Sequence, residues 1–143
     1  MPNVHPFLTH FPIALLTMSL IFDIIGLLFR SDQLQRAGWW SQLSGTIGLA
    51  ATVTSGLLAE SLVSIPQAGQ STFEMHQQIA FLVSALAATL LLWRVSSRTF
   101  IPSNLKFMYL GLTVILVILL WIGAWHGGEL VYSFGVGVMQ SPR

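Results

Sequence analysis

Long apolar runs constrain this chain more than any other feature of its sequence. About 54% of the 143 residues are hydrophobic and only 8% are charged, whereas a soluble domain of this size has about a quarter of its residues charged. The chain therefore cannot cover a water-facing surface, but it can cover a surface in contact with lipid. The formal net charge of +1 gives no basic field for nucleic acid, so we expect a lipid bilayer as the partner.

Four of these runs approach the roughly 20 residues that cross a bilayer. The sequence predicts an all-α integral membrane protein, a single domain with four helices running up, down, up and down, because short connections favour antiparallel neighbours. Residues 127–143 follow as a tail that either folds over the helix ends or binds a partner. The predicted spans are about 6–29, 39–63, 72–95 and 107–126.

Two details refine these helix boundaries and their packing. The segment Ser71-Thr72-Phe73-Glu74 matches a capping box, which predicts the start of the third helix. A stripe of small residues in the second helix predicts a face in contact with protein, because small residues let helices approach closely in lipid. That stripe is Ser44, Gly48, Thr52 and Gly56, and it ends at Glu60.

The basic residues predict the orientation of the bundle. Five of them lie in or beside the first and third loops, and one, Arg143, lies at the opposite end. The five are Arg30, Arg36, Arg94, Arg98 and Lys106. Because Lys and Arg favour the cytoplasmic side, we expect a bacterial inner membrane protein with both termini in the periplasm.

The four histidines are the main clue to function, since each falls near a helix end on the predicted outer face. His10, His76 and His126 lie at similar depths and form a predicted cofactor or metal site, whereas His5 lies higher and is expected at its rim. Two facing imidazoles suit a b-type haem, and three or four would suit copper or zinc. Interfacial histidines can also simply bind water or backbone.

Two carboxylates are interpreted differently. Glu60 lies at histidine depth and is a candidate to orient an imidazole or carry protons, or it is a solvated group at the lipid headgroups. Asp23 is about 20 Å from His10 along the helix axis. It is expected to pair with Ser41, Ser44 or Arg94. The chain has no cysteine, which excludes cysteine-ligated clusters within it. The sequence shows no internal repeat.

The opening segment, from His5 to Leu16, and the closing segments, Gly127 to Tyr132 and Gly135 to Val138, resemble a bacterial membrane-protein family named domain of unknown function 2231. The resemblance extends to Asp23, Gly56 with Glu60, and His76. It implies four membrane helices, and His5, His10 and His76 match family histidines. Some relatives look fused to Rieske-type iron–sulfur domains. Phe134 stands where many relatives have histidine, and His126 where they often have an apolar residue.

These observations predict a small electron-transfer subunit that holds b-type haem near the periplasmic face. It would exchange electrons with a quinone or a membrane redox complex. A copper or zinc site is the nearest alternative. A non-catalytic structural subunit of a larger membrane complex is the rival interpretation. The chain is also a candidate for a homo- or hetero-oligomer.

Overall fold

The structure is a computed structural model that describes residues 4–97, 101 and 105–138. Four long helices make up most of these residues, and a short 3-10 turn, Gln67–Gly69, precedes the third. The all-α bundle that the sequence predicts is confirmed. The helices are α1 (Val4–Leu28), α2 (Asp32–Glu60), α3 (Gln70–Ser96) and α4 (Lys106–Tyr132).

Among the described residues, three helices are long and apolar enough to cross a membrane, namely α1, α3 with its preceding turn, and α4. The second helix has 29 residues, but its Gly, Ser, Thr and Gln residues make it less apolar than the others. Four spans were predicted, and α2 is the one that falls short on composition. Two of the basic residues used for orientation, Arg98 and Arg143, lie outside the described residues.

The helices pack as two hairpins. Most contacts of α1 are with α2 and most contacts of α3 are with α4, while α1 also contacts α4 and α2 contacts α3. Helices α1 and α3 therefore occupy opposite corners of the bundle. Glycines permit the closest approach within the first hairpin, since a Cβ at Gly45 would lie 2.9 Å from Cγ of Leu16.

Several predicted boundaries differ from the structure. Helix α2 begins at Asp32, seven residues before the predicted start, because Ser31 caps it by accepting a hydrogen bond from the amide of Leu34. Helix α3 begins at Gln70 with no side-chain cap, so the predicted capping box is wrong and its residues lie inside the helix. Helix α4 continues through Gly127 and Gly128 to Tyr132.

The predicted small-residue stripe in α2 faces protein only in part. Thr52 is buried, but Ser44 and Glu60 are exposed. Residues four apart advance by about 400° around a helix with 3.6 residues per turn, so a long stripe with that spacing drifts off any one face. The buried face consists instead of Gly38, Gln42, Gly45, Leu49 and Thr52.

The tail folds back onto the bundle. Gly135 adopts a left-handed conformation with φ of 66°, which favours glycine, and the amide of Val136 donates to the carbonyl of Leu130. The Phe134 ring packs so closely on Gly69 that a Cβ there would lie 3.0 Å from it. The segment 133–138 therefore lies against the end of the bundle at which α3 begins. Residues 139–143 of the predicted tail lie outside the described residues.

Candidate functional site

His5 lies in the first turn of α1 and is held against α2. Its Nδ1 is 3.0 Å from the carbonyl oxygen of Thr52 and 3.1 Å from Oγ of Ser55. A carbonyl can only accept, so the Nδ1–H tautomer donates to Thr52. Gly56 leaves room for the ring, since a Cβ at that position would lie 2.9 Å from Cε1 of His5.

His76 lies in the second turn of α3 and is held against α4 in the same way. Its Nδ1 is 2.8 Å from the carbonyl oxygen of Gly123, which requires the same Nδ1–H tautomer. A Cβ at Gly127 would lie 3.0 Å from Cε1 of the imidazole. Each of these two histidines thus donates to a backbone carbonyl and rests on a glycine of the neighbouring helix.

The two imidazoles face each other across the middle of the bundle. Their ring centres are 6.4 Å apart and their planes meet at 84°. Because each Nδ1 carries the proton, each Nε2 keeps its lone pair. Metal-binding histidines have this arrangement, in which one ring nitrogen donates to a carbonyl or carboxylate and the other binds the metal. The pair can therefore supply two nitrogen ligands to a shared group.

A cavity of about 170 Å³ adjoins both imidazoles. All four helices line it, and its walls are mainly aliphatic. Val136 of the tail also lines it, so the segment 133–138 covers part of the site. Four polar side chains other than the histidines contribute to the lining: Thr9, Thr52, Glu60 and Gln77.

Glu60 lies at the edge of this cavity and is exposed. Its Oε2 accepts a hydrogen bond of 3.1 Å from Nε2 of the Gln77 side chain. Among the described residues, the partner of Glu60 is this glutamine and not an imidazole. Orientation of a histidine by Glu60 is thus not seen, and a role in proton transfer stays a prediction.

The structure does not assemble the predicted set of His10, His76 and His126. His10 is exposed, and His126 is half-buried with its Nδ1 3.4 Å from a carboxylate oxygen of Glu129. Within residues 4–97, 101 and 105–138, no three His, Asp or Glu side chains form a group able to hold a metal ion. The histidine that faces His76 is His5, which we expected only at the rim.

Helix direction explains this difference. Helix depth alone suggested His10, but the five residues from His5 to His10 turn the helix by about 500°, so their side chains point in different directions. The buried face of α1 passes through Pro12 and Leu16. His5 lies seven residues before Pro12, which returns to nearly the same face. That spacing was available in the sequence and identifies His5.

A buried ion pair occupies the opposite end of the bundle. Both Arg94 and Asp23 have fully buried side chains, and the guanidinium binds both carboxylate oxygens, with Nη2 2.8 Å from Oδ1. Arg94 also donates to the carbonyl of Gln35 and to Oε1 of Gln42, and Tyr109 donates to the same Gln42 oxygen. The predicted pairing of Asp23 with Arg94 is confirmed.

A family model described as "Predicted membrane protein (DUF2231)" matches residues 1–140. The chain belongs to this family. No curated protein and no solved structure matches it. Membership of DUF2231 confirms the resemblance carried by the opening and closing segments, and it agrees with the three membrane-length helices. The chain is therefore a membrane protein in contact with lipid.

The family description names no reaction, so any function for this DUF2231 member depends on its own residues. Two features of the described chain are unusual for a membrane interior, where ionisable groups are costly. One is the facing pair of His5 and His76, and the other is the buried pair of Asp23 and Arg94. The first of these adjoins the cavity of about 170 Å³.

Proposed function

We propose that this DUF2231 protein is a small electron-transfer subunit of the bacterial inner membrane, and that it holds b-type haem between His5 and His76. The facing imidazole pair carries the proposal, because each ring has its Nδ1 committed to a backbone carbonyl and its Nε2 available. Bis-imidazole ligation from helices at opposite corners of a bundle suits a haem. Bound there, the haem would supply one-electron transfer.

The separation of the rings supports ligation of one central ion. An imidazole nitrogen lies about 1.1 Å from its ring centre and binds a metal at about 2.1 Å, so the centres of two rings that bind one ion lie at most about 6.4 Å apart. The ring centres of His5 and His76 are 6.4 Å apart. The donor set and its spacing would therefore allow His5 and His76 to bind one metal ion together.

The size of the cavity favours a second candidate, a single copper ion. Pockets that enclose drug-sized ligands measure about 300–1,000 Å³, whereas this cavity measures about 170 Å³. A porphyrin needs more room, which the helices would have to provide by moving apart. Copper accepts imidazole ligands and needs no such space. Zinc is served less well, because it takes three or four protein ligands.

The orientation in the membrane that this proposal uses is argued from the basic residues and not from the histidine site. With Arg30, Arg36 and Lys106 at the cytoplasmic face, the two imidazoles lie near the periplasm. The protein would then pass electrons between a quinone or a membrane redox complex and a periplasmic acceptor. If the site binds neither haem nor metal, the rival function is a structural subunit whose two hairpins dock against a larger complex.

The visible spectrum of the protein purified in mild detergent tests the proposal. A reducible Soret band and α-band support haem, whereas a colourless protein with one copper per chain supports the second candidate. A colourless protein without metal would leave only the structural role. The variants His5→Ala and His76→Ala should each lose the bound group. His10→Ala is the matched control that should keep it, because His10 is exposed and does not line the cavity.

A further inference from the structure

The contacts of the two histidines are identical in their spacing along the chain. His5 bonds to the carbonyl 47 residues later and rests on the glycine 51 residues later, at Thr52 and Gly56. His76 does the same with Gly123 and Gly127. Adding 71 to each number in the first set gives the second. One offset therefore superimposes a histidine, the carbonyl that it contacts and the glycine on which it rests.

The same offset superimposes the buried faces of the two hairpins. Nine of the ten buried residues of α1 and α2 correspond to a buried residue 71 positions later in α3 or α4. Helical periodicity alone would align one helix with another at several offsets. A single offset that aligns both helix pairs, across their connecting loops, indicates two equivalent hairpins. The matched pairs are Pro12 with Val83, Leu16 with Ala87, Ser19 with Leu90, Asp23 with Arg94, Gly38 with Tyr109, Gln42 with Thr113, Gly45 with Leu116, Leu49 with Leu120 and Thr52 with Gly123.

Two of the matched pairs also touch each other. The His5 ring faces the His76 ring, and the Asp23 carboxylate binds the Arg94 guanidinium. A residue can meet its own equivalent only where it lies beside a two-fold axis. These contacts lie at opposite ends of the bundle, so the axis runs along the bundle and passes between both pairs. Parallel repeats in membrane transporters are related by an axis of this kind.

We propose that the chain is a fused pair of equivalent helical hairpins, and that its ligand site lies on the axis between them, so that His5 and His76 bind one central metal ion or haem iron equivalently. The identity of that ligand rests on the proposed function, whereas the axis does not. The ion pair at the other end makes the two halves distinct. Two copies of the first hairpin would bring two aspartates together there, and two copies of the second hairpin would bring two arginines together.

Distances between spin labels test the axis without any ligand. The chain has no cysteine, so single cysteines can be introduced directly. Ile21 and Trp40 correspond to Leu92 and Gly111, and all four are exposed. The pair I21C with G111C and the pair W40C with L92C each join the two hairpins and exchange under the two-fold rotation. Their distance distributions should coincide within their own widths. Distinct distributions would overturn the proposal.

Charge exchange gives a second test that uses the other end of the axis. Asp23→Arg and Arg94→Asp each place like charges together and should lower the unfolding temperature. The exchange D23R/R94D restores opposite charges at equivalent positions, and it should unfold at a higher temperature than either single variant. An exchange variant no more stable than the more stable of the two single variants would contradict the symmetric placement of the two residues.

Hemin titration connects the axis to the site. In the variants His5→Ala and His76→Ala, the affinity for hemin should fall by the same factor, because each removes one of two equivalent ligands. If one variant loses affinity and the other does not, equivalent ligation is wrong. If the wild-type protein binds no hemin and no copper but the label distances coincide, the proposed function fails and the fused hairpins remain.

Discussion

The variant Gly56→Ala tests whether the glycine beside His5 is needed for the position of the imidazole. The new Cβ would lie 2.9 Å from Cε1 and 3.2 Å from Nδ1 of the ring. Ordinary contact begins at 3.4 Å, so the ring must retreat by about 0.5 Å. That movement would lengthen the hydrogen bond to Thr52, now 3.0 Å, to about 3.5 Å, where little of it remains.

The expected cost has three parts. Forcing a carbon into a packed contact costs about 1–3 kcal/mol, and losing the hydrogen bond costs about 1 kcal/mol. Replacing glycine by alanine within a helix offsets about 1 kcal/mol of this. We therefore expect Gly56→Ala to lower the free energy of unfolding by about 1–3 kcal/mol.

The control is Gly128→Ala in α4, because no atom lies within 4 Å of a Cβ at that position. It should gain about 1 kcal/mol from helix propensity. Unfolding of both variants in mixed micelles, followed by circular dichroism as the fraction of SDS rises, measures the difference. Nitrogen NMR of the imidazole should also show a weaker Nδ1–H bond in Gly56→Ala only. Equal stability of the two variants would refute the close packing of His5 on Gly56.

Two further predictions use the same unfolding measurement, and a third uses exchange of backbone amides with deuterium. Asp23→Ala leaves the buried Arg94 without its carboxylate and should cost about 3–5 kcal/mol; a cost below 1 kcal/mol would contradict the pairing. Tyr109→Phe removes the hydrogen bond to Gln42 and should cost about 1 kcal/mol, with an unchanged stability as the contrary result. Phe134→Ala removes the ring packed on Gly69, so amides of the tail should exchange with deuterium faster while those of α3 do not; unchanged exchange in the tail would show that the ring does not hold it.

Hydropathy was sufficient to predict the four helices and their antiparallel order, because long apolar runs joined by short loops allow few other arrangements. It was insufficient for the helix ends. Helix α2 begins at Asp32 among polar residues, so the apolar content of the sequence does not indicate where it starts. The start is set instead by the capping hydrogen bond that Ser31 accepts. Gly127 and Gly128 suggested the end of α4, yet both lie inside the helix. At Gly127 the missing side chain leaves room for the His76 imidazole.

The histidine pair was only half predictable for a different reason. Depth along a helix follows from counting residues, and it placed all four histidines at one face of the membrane. Direction around a helix depends on the buried face, and the spacing from His5 to Pro12 and Leu16 carries that information. His10 has the right depth but the wrong direction. The contact between His5 and His76 also depends on α1 and α3 lying at opposite corners of the bundle, which the sequence did not show.

The repeat is not visible in the sequence because equivalent positions share burial and not residue type. Gly38 corresponds to Tyr109 and Ser19 to Leu90, so an alignment of the two halves by residue type shows little identity. At the ion-pair end, equivalent positions must differ, since two like charges in contact inside the membrane would repel at high cost. At the histidine end they can be the same, because two neutral imidazoles do not repel and each offers a lone pair. The two-fold axis thus passes between oppositely charged residues, Asp23 and Arg94, where the contact only holds the hairpins together. It passes between identical residues, His5 and His76, where one central ion would need two equal ligands.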